Sequence, residues 1–251
     1  MNIHDKKSLI LVDNISKYYG SFKALDSVRF TVKAGERVAV AGPSGSGKSS
    51  LLNSLAGIIH PEKGQVLVDG NDLAKLQSRK EMCRLVGIIH QQYDLVPQLP
   101  VIHNVLAGNL GRWGLFNSLL SLVWPRDRRQ VQDILGELGI ADKIDDLTSK
   151  LSGGEQQRVA IARMMIQSPQ LVLADEPVAS LDPARAEEGL KLITDLTIDS
   201  NKTLVITLHS PHLISAYCSR VIGLREGKLI FDLPTSEVDE HYFHQLYDIG
   251  H

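Results

Sequence analysis

The chain has 251 residues, with 27 Lys and Arg against 29 Asp and Glu, for a formal charge of −2. That near-neutral balance argues against nucleic-acid binding through a broad basic surface. Two cysteines, Cys83 and Cys218, exclude a disulfide framework and read as small, partly buried apolar residues in a reducing compartment.

At about 150 residues per domain the chain makes one large unit or two small ones, enough to bury a core unaided. No segment reaches the ~20 apolar residues of a membrane span. The longest notable uncharged run, Trp113 to Pro125, is interrupted by Asn117, Ser118 and Ser121. The opening MNIHDKKSLI has no apolar signal core. The expectation is a cytoplasmic protein that reaches a membrane only through a partner.

In chain order, LILVDNIS, ALDSVRFTV and RVAVAG read as short strands, with turn signals at Tyr19-Gly20 and Ala34-Gly35. The third runs into a glycine-rich loop and then SSLLNSLAGII, a helical pattern with Gly57 and Pro61 as stop signals. QVLVDG and LVGIIH follow as strands. From about 98 to 150 the spacing turns helical, including VQDILGELGI, and predicts a helical insertion. Beyond it come a helix (EQQRVAIARMMIQ), a strand (LVLAD), a helix (ARAEEGLKLITDL), a strand (TLVITL) and a strand pair around VIGLREGKLIF. Strands alternating with helices predict a mostly parallel sheet covered on both faces.

Gly42-Pro43-Ser44-Gly45-Ser46-Gly47-Lys48-Ser49 fits G-x-x-x-x-G-K-[ST] between a predicted strand and a predicted helix. Its glycines let several backbone N–H groups face one anion, and the helix that starts here adds its positive dipole end. Lys48 is placed to reach the β- and γ-phosphates and Ser49 to offer its hydroxyl to Mg²⁺, with Ser50 beside it in the nucleotide-binding set. A tight glycine turn merely joining strand to helix is the bland alternative.

LVLAD ends in Asp175 and Glu176, and ligands of open α/β sheets bind at the carboxyl ends of strands. Asp175 suits a Mg²⁺ shell, and Glu176 suits the polarisation of an attacking water. His209 follows another apolar run and becomes a candidate for the γ-phosphate; alone it would read as structural. Gln91, after LVGIIH, is uninformative by itself. Ser152 and Glu155 in LSGGEQQR form a capping-box pattern, which needs neither Gly153 nor Gly154. A well-started helix and a helix N-terminus open to another molecule's phosphate both fit these residues.

Taken together, and in this order, the phosphate loop, Gln91, the helical insertion, LSGGEQQR, Asp175-Glu176, Ser180-Leu181-Asp182-Pro183 and His209 resemble the ATPase subunits of ABC transporters over essentially the whole chain. The resemblance implies an α/β P-loop NTPase (RecA-like) core with an amino-terminal antiparallel β subdomain and an inserted α-helical subdomain. It also implies a single ABC ATPase domain over 1–251, with the insertion at about 98–150 and the signature helix from about 153. It makes ATP the substrate, with Tyr19 stacking on adenine (its alternative being a buried tyrosine) and Arg158 supporting the signature helix (its alternative being a surface role). Glu176, His209 and Gln91 become catalytic residues, and Ser49, Gln91 and Asp175 become Mg²⁺ ligands. Ser152, Gly153 and Gly154 would face the ATP of a second copy in a head-to-tail pair, with Asp182 at the subunit boundary.

A narrower similarity joins NVLAGNLGR and DEPVASLDP to the ATPases of phosphonate-type importers, including phosphite systems. It implies integral membrane permease subunits as partners, a periplasmic or surface solute-binding protein indirectly, no nucleic acid, and a peripheral place on the cytoplasmic face of the membrane. His90, Pro100 and Leu233 depart from that group, where Phe, Thr and Gly are expected. Exporter and lipoprotein-releasing ATPases are the alternative, but they usually carry Thr-Gly where this chain has Val178-Ala179.

Overall fold

The computed structural model describes residues 8–113, 127–179 and 181–247. The opening MNIHDKK, Ser180, residues 114–126 of the expected insertion and the uncharged run after Trp113 lie outside the described residues.

β1 (Ser8–Tyr19) and β2 (Phe22–Lys33) pair as an antiparallel hairpin. Val28, Phe30 and Val32 of β2 are buried while Arg29, Thr31 and Lys33 are exposed, the period-two pattern of a sheet with one wet face. β4 (Lys63–Val68) and the short β5 (Asn71–Asp72) complete a sheet of order β2-β1-β4-β5. The third predicted strand, β3 (Arg37–Ala41), leaves this sheet for another.

That second sheet adds β6 (Val86–Ile89), β7 (Leu171–Ala174), β8 (Thr203–Thr207), β9 (Arg220–Arg225) and β10 (Lys228–Pro234) in the order β10-β9-β3-β8-β7-β6. All its pairings are parallel except β9 with β10. Alternate residues of the parallel strands face opposite cores. Val38, Val40, Leu173 and Val205 pack with α1 (Lys48–Leu55) and the antiparallel sheet, so α1 lies between the two sheets. Ala39, Ala41, Val172, Ala174 and Ile206 face the other helices. Both faces are therefore covered, as the alternation predicted.

Three helices build that second face near the expected insertion. α3 (Val101–Leu106) and α4 (Arg128–Glu137) pack on α5 (Gly153–Gln167) through Val101, Val105, Val131 and Leu135. Buried Asn104 accepts from the Val96 N–H at 2.7 Å and donates to Thr148 Oγ1 at 2.8 Å, fastening the two ends of the segment together. α6 (Pro183–Asp199) follows β7.

Three further helices were not predicted. α2 (Arg79–Leu85) buries only Leu85, so it has no apolar stripe, although Ser78 caps it at the Glu81 N–H. α7 (Pro211–Tyr217) carries a readable start, a Ser210 cap with Pro at the first position. α8 (Glu240–Tyr247) closes the described chain with Leu246 fully buried. Of the three departures from the phosphonate-type pattern, Leu233 pairs with Val221 in β10 and Pro100 precedes α3. His90 Nε2 lies 3.6 Å from Asp94 Oδ2.

Candidate functional site

Because β3, β8, β7 and β6 are parallel neighbours, the residues after each share one sheet edge. These are the phosphate loop, His209, Asp175-Glu176 and Gln91. Adjacent strands, not sequence proximity, bring the loop and the acids together. A depression of 280 Å³ lies here, lined by Tyr19, Phe22, Ser44, Gly45, Lys48 and Glu176 among others. Gly47, Ser49 and Ser50 also line it, whereas Pro43 and Ser46 line a separate 210 Å³ cavity behind the loop.

The Lys48 ammonium is 5% exposed and donates to the carbonyls of Gly42 at 2.9 Å and Pro43 at 3.1 Å. Glu176 Oε1 lies 4.0 Å away. Burial lowers the Lys48 pKa, opposed by the carboxylates of Glu176 and Asp175. The same Glu176 oxygen is 2.6 Å from His209 Nε2. Cation, carboxylate and imidazole thus form one chain of contacts across three strand ends.

Thr207 is a residue of this candidate site that sequence reasoning missed. Fully buried at the end of β8, its hydroxyl donates to Asp175 Oδ1 at 2.9 Å and accepts from the Glu176 N–H at 2.6 Å. One side chain therefore fixes both acids, and Glu176 is held at φ 46°, in the left-handed region. A hydroxyl two residues before a candidate histidine was the available signal. Ser49 is exposed at the start of α1 and offers a second oxygen donor. Among the described residues no group of three or more His, Cys, Asp or Glu gathers at one point. The Asp175 carboxylate and the Ser49 hydroxyl are oxygen ligands of the kind Mg²⁺ prefers.

Tyr19 is 49% exposed beside Phe22, with the Lys17 ammonium 5.6 Å from its ring centre, so the buried-tyrosine alternative is excluded. Gln91 is exposed just past β6. The neighbouring Tyr93 is buried, and its hydroxyl donates to the Pro177 carbonyl at 3.1 Å, next to Glu176.

Ser152 and Gly154 lie elsewhere, at a 320 Å³ depression shared with Arg158, Arg185 and Glu188, with Gly153 between them as the first residue of α5. The capping box is present: Ser152 N–H and Oγ both donate to Glu155 Oε2, at 2.8 and 2.7 Å, and lower the Glu155 pKa. Arg158 donates to the Leu138 carbonyl at 2.6 Å and to Glu188 at 2.5 Å, tying α5 to the end of α4 and to α6. A Cβ on Gly154 would meet nothing within 4 Å, and one on Gly153 only Leu181 at 3.6 Å. Among the described residues no close approach explains either glycine. Asp182 caps α6 at the Arg185 N–H, on the signature side of the molecule rather than at the phosphate loop.

The family described as ABC transporter matches residues 25–179. The Phosphonates import ATP-binding protein PhnC of Pseudomonas putida is 42% identical over 231 residues, which cover 91% of this chain and 86% of that protein. A nucleotide-free ATP-binding cassette from an ABC transporter superposes with a TM-score of 0.81 at 24% identity, covering 97% of this chain and 96% of that one, a likeness of fold. A dimeric post-hydrolysis state of an ATP-binding cassette bound to ADP and Pi gives 0.72 at 27% identity, covering 90% of this chain and 98% of that one.

Proposed function

The chain belongs to the ABC transporter ATP-binding family, and on that premise we propose that it powers import of a phosphonate, phosphite or similar phosphorus oxyanion through a separate membrane permease. It is an ATP-hydrolysing cassette, and the observation that carries its chemistry is the contact chain from Lys48 through Glu176 to His209. The solute class rests on the 42% identity to a phosphonates import ATP-binding protein.

In this reading the phosphate-loop N–H groups and Lys48 hold the triphosphate, and Tyr19 stacks on adenine. Ser49, Asp175 and Gln91 supply oxygens to Mg²⁺, which when bound neutralises phosphate charge. Thr207 keeps Asp175 aimed. Glu176 orients and polarises the attacking water, and His209, within hydrogen-bond reach of Glu176, contacts the γ-phosphate. Ser152, Gly153 and Gly154 of a second copy close over the same phosphate in a head-to-tail pair, with Asp182 near the boundary. The chain acts as one ATPase domain whose inserted helices and Gln91 segment face the permease. A solute-binding protein delivers cargo on the far side. Among the described residues no helix is long and apolar enough to cross a membrane. In this reading the cassette docks peripherally on the cytoplasmic face through the permease.

Deletion of the gene should abolish growth on one phosphonate, or on phosphite, as sole phosphorus source and leave export phenotypes intact. Normal growth on every such compound, together with an envelope-export defect, would replace this reading with an exporter or lipoprotein-releasing system.

A further inference from the structure

The last described helix reaches the phosphate loop. The Gly42 N–H donates to the Tyr247 hydroxyl at 3.3 Å, although the two residues are 205 apart in sequence. The Gly42 carbonyl accepts from Lys48 at 2.9 Å. Tyr247 and the phosphate-binding lysine therefore hold the two polar groups of one residue, at the point where β3 becomes the loop.

Gly42 is also pressed against β9, since a Cβ there would sit 2.1 Å from the Leu224 carbonyl oxygen. Farther along, the Gly227 N–H donates to the Ser46 carbonyl at 2.9 Å. The β9–β10 hairpin thus meets the loop at Gly42 and Ser46, and Tyr247 meets it at the Gly42 N–H. α8 is itself fixed: Leu246 is fully buried, Tyr242 packs edge-on against Phe231 at 5.2 Å, and Arg225 donates to the Gln245 carbonyl at 2.7 Å. Tyrosine suits such a strut because its rigid ring loses little rotamer freedom on being held. Burial keeps the phenol protonated; the Gly42 N–H opposes that effect and the Glu176 carboxylate adds to it.

We propose that Tyr247 is a positioning residue for the phosphate loop, holding the Gly42 amide so that the loop is already in its nucleotide-binding shape when Lys48 turns from the Gly42 carbonyl to the phosphates. The inference rests on the nucleotide reading of this loop. Without the hydroxyl the loop's first peptide samples other shapes, and apparent affinity falls by the fraction of time spent in them.

The full chain and its Tyr247→Phe variant can be compared by calorimetry with ATP and Mg²⁺, by steady-state hydrolysis and by amide exchange at Gly42. The expected result is a Kd and KM about fivefold higher, an unchanged kcat, and Gly42 exchange about fivefold faster, the size of one ordinary hydrogen bond. Arg225→Met, which removes the bond to the Gln245 carbonyl at the end of α8, should raise Kd about twofold. A lower melting temperature with unchanged Kd and unchanged Gly42 exchange would make Tyr247 structural only and overturn the proposal. Failure of the wild-type chain to bind ATP would instead overturn the nucleotide reading, and the proposal with it.

Discussion

The phosphate-loop edge and the signature segment are both built on a helix N-terminus, yet they differ in what surrounds them. At the loop every charged group has a partner within the chain: Lys48 on two carbonyls and Glu176, Glu176 on His209, Asp175 on Thr207. The loop's glycines have internal reasons as well, Gly47 having φ 103° and a Cβ position only 2.4 Å from the Ala24 carbonyl oxygen. At the signature segment the cap is satisfied, but the space beside Gly154 is open. One region is complete within a single copy. The other leaves open space beside Gly154, which is why a second molecule enters the proposed mechanism there.

The largest effect that would test this contrast comes from Glu176→Gln. The amide keeps the shape and can hydrogen-bond, but it lacks the charge that orients and polarises water. Hydrolysis should fall by about 10²–10⁴, the usual worth of a positioned general base. The loop and the signature segment are untouched, so ATP should hold two copies together. Gel filtration with ATP and Mg²⁺ is expected to show a doubled mass, and adding Ser152→Arg should return the monomer. Wild-type turnover in Glu176→Gln would remove Glu176 from this role.

Next in size is the separation of binding from chemistry within the complete region. Lys48→Ala removes the ammonium that neutralises phosphate charge, and ATP affinity should drop about 10- to 100-fold, as for loss of hydrogen bonds to a charged group. His209→Ala should leave calorimetric affinity near wild type and slow phosphate release. Loss of binding in His209→Ala would show that its contact with Glu176 serves folding and not the γ-phosphate.

The same contrast explains what the sequence made legible. The loop, the acids, His209 and the capping box were readable because each is a local pattern at a strand or helix end. So were the buried parallel strands, whose apolar runs require two covered faces. Thr207 and Tyr247 were not, because their roles come from pairings across the fold, β8 beside β7 and α8 beside the loop. Short α2 escaped because a helix that buries one leucine leaves no periodic stripe, although its Ser78–Glu81 start was visible. Cys218 matched its bland reading, a buried thiol whose pKa burial pushes up to about 12, with no part in the site.

The smallest expected effect is the most discriminating. Gly154 is the second residue of α5, its φ is not positive and a Cβ there meets nothing within 4 Å. Alanine at such a position restricts the unfolded chain without strain, which stabilises by about 0.5 kcal/mol. For a chain of this size that raises Tm by about 1–2 °C. Gly47→Ala should do the opposite, since its Cβ must displace backbone and take a disfavoured φ. If Gly154 is reserved for the phosphate of a second copy, Gly154→Ala should melt slightly later, bind ATP as a monomer with unchanged affinity, and hydrolyse it more slowly. It should also weaken the ATP-held dimer formed by Glu176→Gln. Calorimetric melting and phosphate release on the same preparation measure both sides. Full wild-type hydrolysis in a stabilised Gly154→Ala protein would mean that the open space has no occupant during turnover, and the contrast between the two regions would lose its functional meaning.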